Sequence, residues 1–355
     1  MRNRLREGFL GCVLLVALAG CASRPSEELV QKSQEFSEAV NAVRDAVMTA
    51  FDLAETANRL AQQTNLNLQF DLGGRPKVQY VPLFSPKDLS IRKGLFGSLS
   101  LYADRLEKSL GAQHLKVAPL DVLDLKEFQV SNSKQSLPGN LLDDPNLSSA
   151  VAEVQAIAKH YVSPNTRDQL QQLTFKIQPA IEKLVLFLYL DIGLLGDRKA
   201  ICKNLTANLK PPVDIDSLPE CRGGLRPIMQ QALSETGTIW RQRLALSSPK
   251  EVRTAKERPA LLDKIYSIDR KKDLIDGELT RLQEAVLMLA KLHLSLSREF
   301  EGQTSIDRPQ PYLKLSQDLP QSINPAAVIS ALERKLIEHK ASLISVLKER
   351  DDATE

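Results

Sequence analysis

The chain has 355 residues, with 47 basic and 44 acidic side chains, 43% hydrophobic residues and only 5% aromatics. Sixteen glycines and 19 prolines exclude collagenous and low-complexity readings, and the apolar share excludes global disorder. A formal charge of +3 is too balanced for a nucleic-acid footprint, so no nucleic-acid partner is expected. The chain opens on a basic front, Arg2, Arg4 and Arg6, followed by an apolar run over residues 8–19. That run falls short of the roughly 20 residues a bilayer span requires and has the shape of a secretory h-region. It closes on Leu18-Ala19-Gly20-Cys21.

This ending resembles the lipobox of bacterial lipoproteins, and the resemblance is confined to the signal. It implies that residues 1–20 are removed as a signal peptide and that the Cys21 thiol carries a diacylglyceryl group. The freed Cys21 amine then takes a further acyl chain. Residues 21–25 form the lipidated N-terminus, and more than one acyl chain makes attachment to the membrane effectively stable. Ala22 and Ser23 follow the cysteine where inner-membrane lipoproteins of many Gram-negative bacteria carry Asp. The pattern implies a periplasm-facing protein anchored in the outer membrane. Removal of the signal takes away Arg2, Arg4, Arg6 and Glu7, leaving 44 basic against 43 acidic side chains. The mature chain is therefore close to neutral.

Residues 26–350 read as an all-α, multi-helix bundle with long helices and one small β-hairpin, ending in a tail at 351–355. Capping residues directly followed by proline recur at Ser85-Pro86, Asp144-Pro145, Ser163-Pro164, Ser248-Pro249 and Asn324-Pro325. The cap accepts an orphan amide, and proline at the first helical position lacks the N–H that would go unpaired. A first helix, about residues 26–64, carries the stripe Phe36, Val40, Val43, Val47, Ala50, Ala54, Ala57 and Ala61 at four-three spacing. Next comes an alternation: Leu66, Leu68, Phe70 and Leu72, a turn at Gly73-Gly74, then Val78 and Tyr80. This predicts a β-hairpin over about residues 66–81, lying on the bundle as a cover or as a partner-binding edge.

A second helix starts at Pro86, carries Ile91, Leu95, Leu99, Tyr102 and Leu106, and stops at Gly111. The apolar run of residues 184–195 is interrupted by Asp191 and is too short to span a membrane, so it predicts a deeply buried helix, kinked near Pro179. Cys202 and Cys221 are the two cysteines left after Cys12 departs and Cys21 is lipidated. In an exported protein they read as a structural disulfide around the 202–221 loop rather than a redox pair, which normally sits as C-x-x-C. Two further helices carry the stripes Ile275, Leu279, Leu282, Val286, Leu289, His293, Leu296, Phe300 and Ile329, Leu332, Leu336, His339, Leu343, Val346.

Catalytic chemistry is nearly silent. No nucleophile elbow, P-loop, dinucleotide fingerprint or metal-ligand spacing occurs, so no catalytic residue, metal or cofactor is assigned. His293 and His339 both fall on helical seams and are the candidate polar core site; if the helices face each other, the two imidazoles share a pocket. Trp240, the only tryptophan, is either a core residue or an interface anchor. The leading expectation is a non-catalytic helical lipoprotein tethered at the outer membrane, a scaffold or interaction module with an envelope protein as partner. The alternatives are a periplasmic ligand-binding or inhibitory helical module, and an enzyme with an unrecognised site. A deep apolar pocket with convergent polar groups favours ligand binding, and exposed apolar helix favours the scaffold.

Overall fold

The computed structural model describes residues 26–84, 86–111, 167–193, 224–246, 257–300 and 324–348. Six helices account for nearly all of them: α1 (Glu27–Asp71), α2 (Pro86–Gly111), α3 (Arg167–Ile192), α4 (Leu225–Leu246), α5 (Glu257–Glu299) and α6 (Pro325–Lys348). The expected all-helical bundle is what forms. Two of the Pro-initiated starts fall on described helices. Pro86 and Pro325 are each the first helical residue, and Ala327 N–H donates to the Asn324 side chain at 3.2 Å. At α1 the cap is Ser26, whose hydroxyl accepts from Leu29 N–H. The other three starts, at 144–145, 163–164 and 248–249, lie outside the described residues, as do Cys21, Cys202 and Cys221.

The two long helices, α1 and α5, run antiparallel and form the spine. Lys32, near the start of α1, pairs with Glu299 at the end of α5. Against this spine α2 runs antiparallel to α1, with Ser37 bonded to Asp104 and Arg92 stacked over Phe51. The α6 helix runs antiparallel to α5, since Lys335 pairs with Glu278 and Lys271 reaches Ser342 O. Both α3 and α4 also run antiparallel to α5, one after the other. Gln171 meets Phe300 and Gln283 meets Tyr189 along α3, whereas Arg226 meets Asp276 and Gln230 meets Lys272 along α4.

These two helices form one column with a break in it. The break lies at Gly193 and Gly224, with φ of 86° and 105°, both in the left-handed region that favours glycine. They touch so closely that a Cβ on Gly224 would stand 2.4 Å from the Gly193 Cα. Across the joint, the Gln283 amide donates to the carbonyls of Tyr189 and Gly193 while its oxygen accepts from Arg226, itself bidentate to Asp276. The column of α3 and α4 is thus continuous along α5 across the Gly193–Gly224 contact.

All the α1 stripe residues named above are buried, and the Ala50, Ala54, Ala57, Ala61 half allows close approach of α4 and α6. Leu95, Leu99, Tyr102 and Leu106 are buried on α2, the whole stripe from Ile275 to Phe300 on α5, and Ile329, Leu332, Leu336 and Leu343 on α6. The predicted deeply buried helix is α3, with Leu184 to Leu188, Leu190, Asp191 and Ile192 all buried.

The β-hairpin is a correction: no strand occurs among the described residues. With no breaker before Gly73, α1 simply continues through Asp71. It then ends at Gly73, φ +77°, with Leu72 N–H donating to Leu68 O and Gly74 N–H to Gln69 O. Helical geometry turns Leu68 inward and leaves Phe70 and Leu72 exposed. The return limb has no strand to pair with, because the backbone groups of α1 are committed to the helix. It is held instead by side chains. Val81 N–H donates to Gln62 Oε1, Val81 O accepts from Asn58 and Gln62, and Leu83 N–H donates to Glu55. Phe84 closes this strap edge-on against Phe51, ring centres 4.9 Å apart.

Candidate functional site

Of the two histidines expected to share a pocket, only His293 is in the core. It is fully buried, with Nε2 2.8 Å from the Tyr102 hydroxyl on α2 and Nδ1 2.5 Å from Gln178 Oε1 on α3. The Gln178 amide nitrogen donates to Glu182 at 2.6 Å, so Gln178 Oε1 must accept. That fixes the tautomer: Nδ1–H donates to Gln178, and Nε2 accepts from Tyr102. Burial pushes the imidazole pKa down to about 3, so the ring is neutral at physiological pH. The Phe36 ring packs edge-on against it at 5.2 Å. Such a buried chain ties α2, α3 and α5 in one register.

His339 lies elsewhere. It is half-buried on α6 among Glu278, Glu338, Lys271 and Lys335, with burial lowering its pKa and the two glutamates opposing. Glu278 and His293 are 15 residues apart on α5, about 22 Å along a helix. The structure does not bring the two imidazoles together.

A second buried charge centre joins α2 to α3. Arg92 and Asp191 are both essentially inaccessible and form a bidentate pair, at 2.6 and 2.7 Å. Asp191, the residue that interrupts the apolar run of α3, is thus explained by its partner. Nothing in the sequence pairs these positions, 99 residues apart. Among the described residues no cluster of His, Cys, Asp or Glu is arranged to hold a metal ion, and no helix is long and apolar enough to cross a membrane.

The open site lies at the far end of the spine. There the C-terminal halves of α1 and α6, the α4 residue Trp240 and the α5 residue Lys264 enclose a groove of about 620 Å³. Its walls mix aliphatic side chains (Leu60, Leu66, Ile344, Val346, Leu347) with the charged groups Asp52, Glu55, Arg59, Lys264 and Lys340. Lys340 pairs with Asp52 at 3.1 Å. Glu55 accepts from the Tyr80 hydroxyl and Leu83 N–H; burial pushes its carboxyl pKa up, against the amides of Leu83 and Phe84. Arg59 lies over the Tyr80 ring, 5.3 Å from its centre.

Two lining residues carry buried polar atoms with no protein partner, Thr64 Oγ1 and Trp240 Nε1. Phe70 and Val78 line the groove and are 50% and 73% exposed. Trp240 is a buried core side chain, the first of the two places the sequence left open, and it also forms part of the groove wall. The groove was not foreseen, because it is assembled from four helix ends that the sequence does not juxtapose.

Among the described residues, fold and site together define an elongated helical bundle with a buried polar core and a groove of mixed apolar and charged lining at the end formed by the C-terminal halves of α1 and α6. Comparison with protein-family models, curated proteins and solved structures finds no match to this chain.

Proposed function

We infer that this is a non-catalytic helical lipoprotein, tethered through Cys21 at the outer membrane and facing the periplasm, whose working part is the distal groove. The observation that carries the reading is the groove itself: an aliphatic cavity edged by the charged side chains Asp52, Glu55, Arg59, Lys264 and Lys340, with two buried polar atoms in its walls unpartnered within the protein. Burial of the helical stripes within the monomer removes the long apolar faces on which a general scaffold would depend. Support shifts from display of a helix face towards capture of a ligand between helices. The exposed Phe70 and Val78 at the groove keep a protein partner as the second reading.

In-cell photo-crosslinking tests this. A photo-reactive residue at Val78 is expected to trap material from the envelope, and one at Leu274, exposed on α5, is expected not to. Equal trapping at both positions, or none at Val78, would remove the distal end from any binding role. The tether has its own test. Cys21→Ser should release or mislocalise the protein, and unchanged fractionation after high-salt washing would rule out the lipid anchor.

A further inference from the structure

We propose that the distal groove takes an uncharged single-chain amphiphile, its hydrocarbon chain lying along Leu60, Ile344 and Leu347 and an ester, amide or hydroxyl oxygen of its head meeting the Trp240 indole N–H and the Thr64 hydroxyl. The proposal rests on the binding-module reading above and names the ligand class. Size is the first argument. A volume near 620 Å³ falls in the range of small-molecule sites, and a lasting protein partner would need roughly 800 Å² of surface from each side. Lining chemistry is the second, because aliphatic side chains from α1 and α6 offer a slot without directional demands, suited to a hydrocarbon chain.

Charge argues for a neutral head, because the charged side chains at the groove already have counterparts within the protein. Asp52 and Lys340 pair at 3.1 Å. Glu55 accepts from the Tyr80 hydroxyl and Leu83 N–H, and the Arg59 guanidinium over the Tyr80 ring offsets its charge. Lys264 is engaged within the chain as well. A head of either sign therefore gains a counter-charge only by taking it from one of these contacts. The polar groups left over are uncharged. Thr64 Oγ1 and Trp240 Nε1 have no partner, and both side chains are 2% exposed. The indole N–H can only donate, so its complement is an acceptor oxygen; the hydroxyl can donate to that oxygen or accept from a head-group hydroxyl. Both atoms lie behind the water-accessible surface of the walls, so bulk water does not complete them. A head that reaches them enters with a side-chain adjustment, as is common on binding. The unmade hydrogen bonds weigh on the free fold, and the ligand relieves them.

The test is calorimetric titration of the full chain, as Cys21→Ser and thus without acyl groups of its own. The probes share a ten-carbon chain and are used below their micellar thresholds: 1-monodecanoylglycerol, decanoate and decyltrimethylammonium. The glycerol ester is expected to bind saturably, at least about tenfold more tightly than either ion. In a Thr64→Val/Trp240→Phe variant the ester affinity should fall about tenfold, while the weaker affinities of the two ions hold. Thr64→Val alone replaces an unpartnered hydroxyl by a methyl, so it should keep its urea midpoint and still weaken the ester about threefold. It carries the test if the double variant does not fold. Equal affinity for all the probes, tighter binding of either ion, or an ester affinity untouched by the variants would overturn the uncharged, hydrogen-bonded head and leave the groove a binding site. Binding of no probe, in a chain shown by circular dichroism to be folded, would overturn the ligand class; the groove reading falls with it only if Val78 also traps nothing in cells.

Discussion

Residue 293 is where chemistry looked nearest, and its surroundings convert it into a structural part. A histidine with a folded-state pKa near 3 and an ordinary unfolded value of 6.5 stays neutral in the fold and takes up a proton only when the chain unfolds. Its contribution is therefore fully present above pH 6.5 and is lost as pH falls from there towards 3. The slope approaches about 1.4 kcal/mol per pH unit below pH 6, so about 2 kcal/mol should vanish between pH 6.5 and 4.5. Urea unfolding across that range checks it, and His293→Gln should flatten the dependence. Gly224 is the other residue with a single permitted identity. Alanine there meets the Gly193 backbone and a positive φ at once, so Gly224→Ala should cost on the order of 3 kcal/mol or more, read from the urea midpoint.

At the scale of elements, the helices were legible where local chemistry sets them. The prolines after Ser85 and Asn324 and the four-three stripes place α1, α2, α5 and α6, because capping and amphipathic burial act over a few residues. The strap was misread because Leu66, Leu68, Phe70 and Leu72 satisfy a strand period, while the absence of a breaker before Gly73 lets the long helix propagate through them. Partners across helices were not legible: Arg92 with Asp191 and Tyr102 with Gln178 through His293 depend on how α2 and α3 meet. The groove depends on four helix ends in the same way.

Two variants test the packing. Arg92→Met alone should cost about 3–5 kcal/mol by stranding Asp191, and Arg92→Met with Asp191→Leu should recover most of that in thermal or urea unfolding. Ala54→Glu with Ala57→Glu puts charge into the fully buried contact of α1 with α4 and α6, and should abolish folding by circular dichroism.

On the scale of the molecule, α1 is a rod of 45 residues, about 67 Å long, whose first residue, Glu27, lies six positions after Cys21, the proposed lipidation site. Thr64, on the groove wall, stands some 55–60 Å along that rod. With the proposed lipid tether at Cys21, a groove at the other end of this rod would make a reaching arm, with the buried His293 and Arg92–Asp191 contacts keeping the helices in register between them. Leu347 lines the groove near the end of α6 and is only half-buried, so Leu347→Arg should block the site and spare the bundle. The most direct measurement is native mass spectrometry of the mature protein extracted in polymer nanodiscs without detergent. The natural chain should carry a non-covalent small-molecule adduct that Leu347→Arg lacks; the same bare mass for both would contradict the groove as the working part.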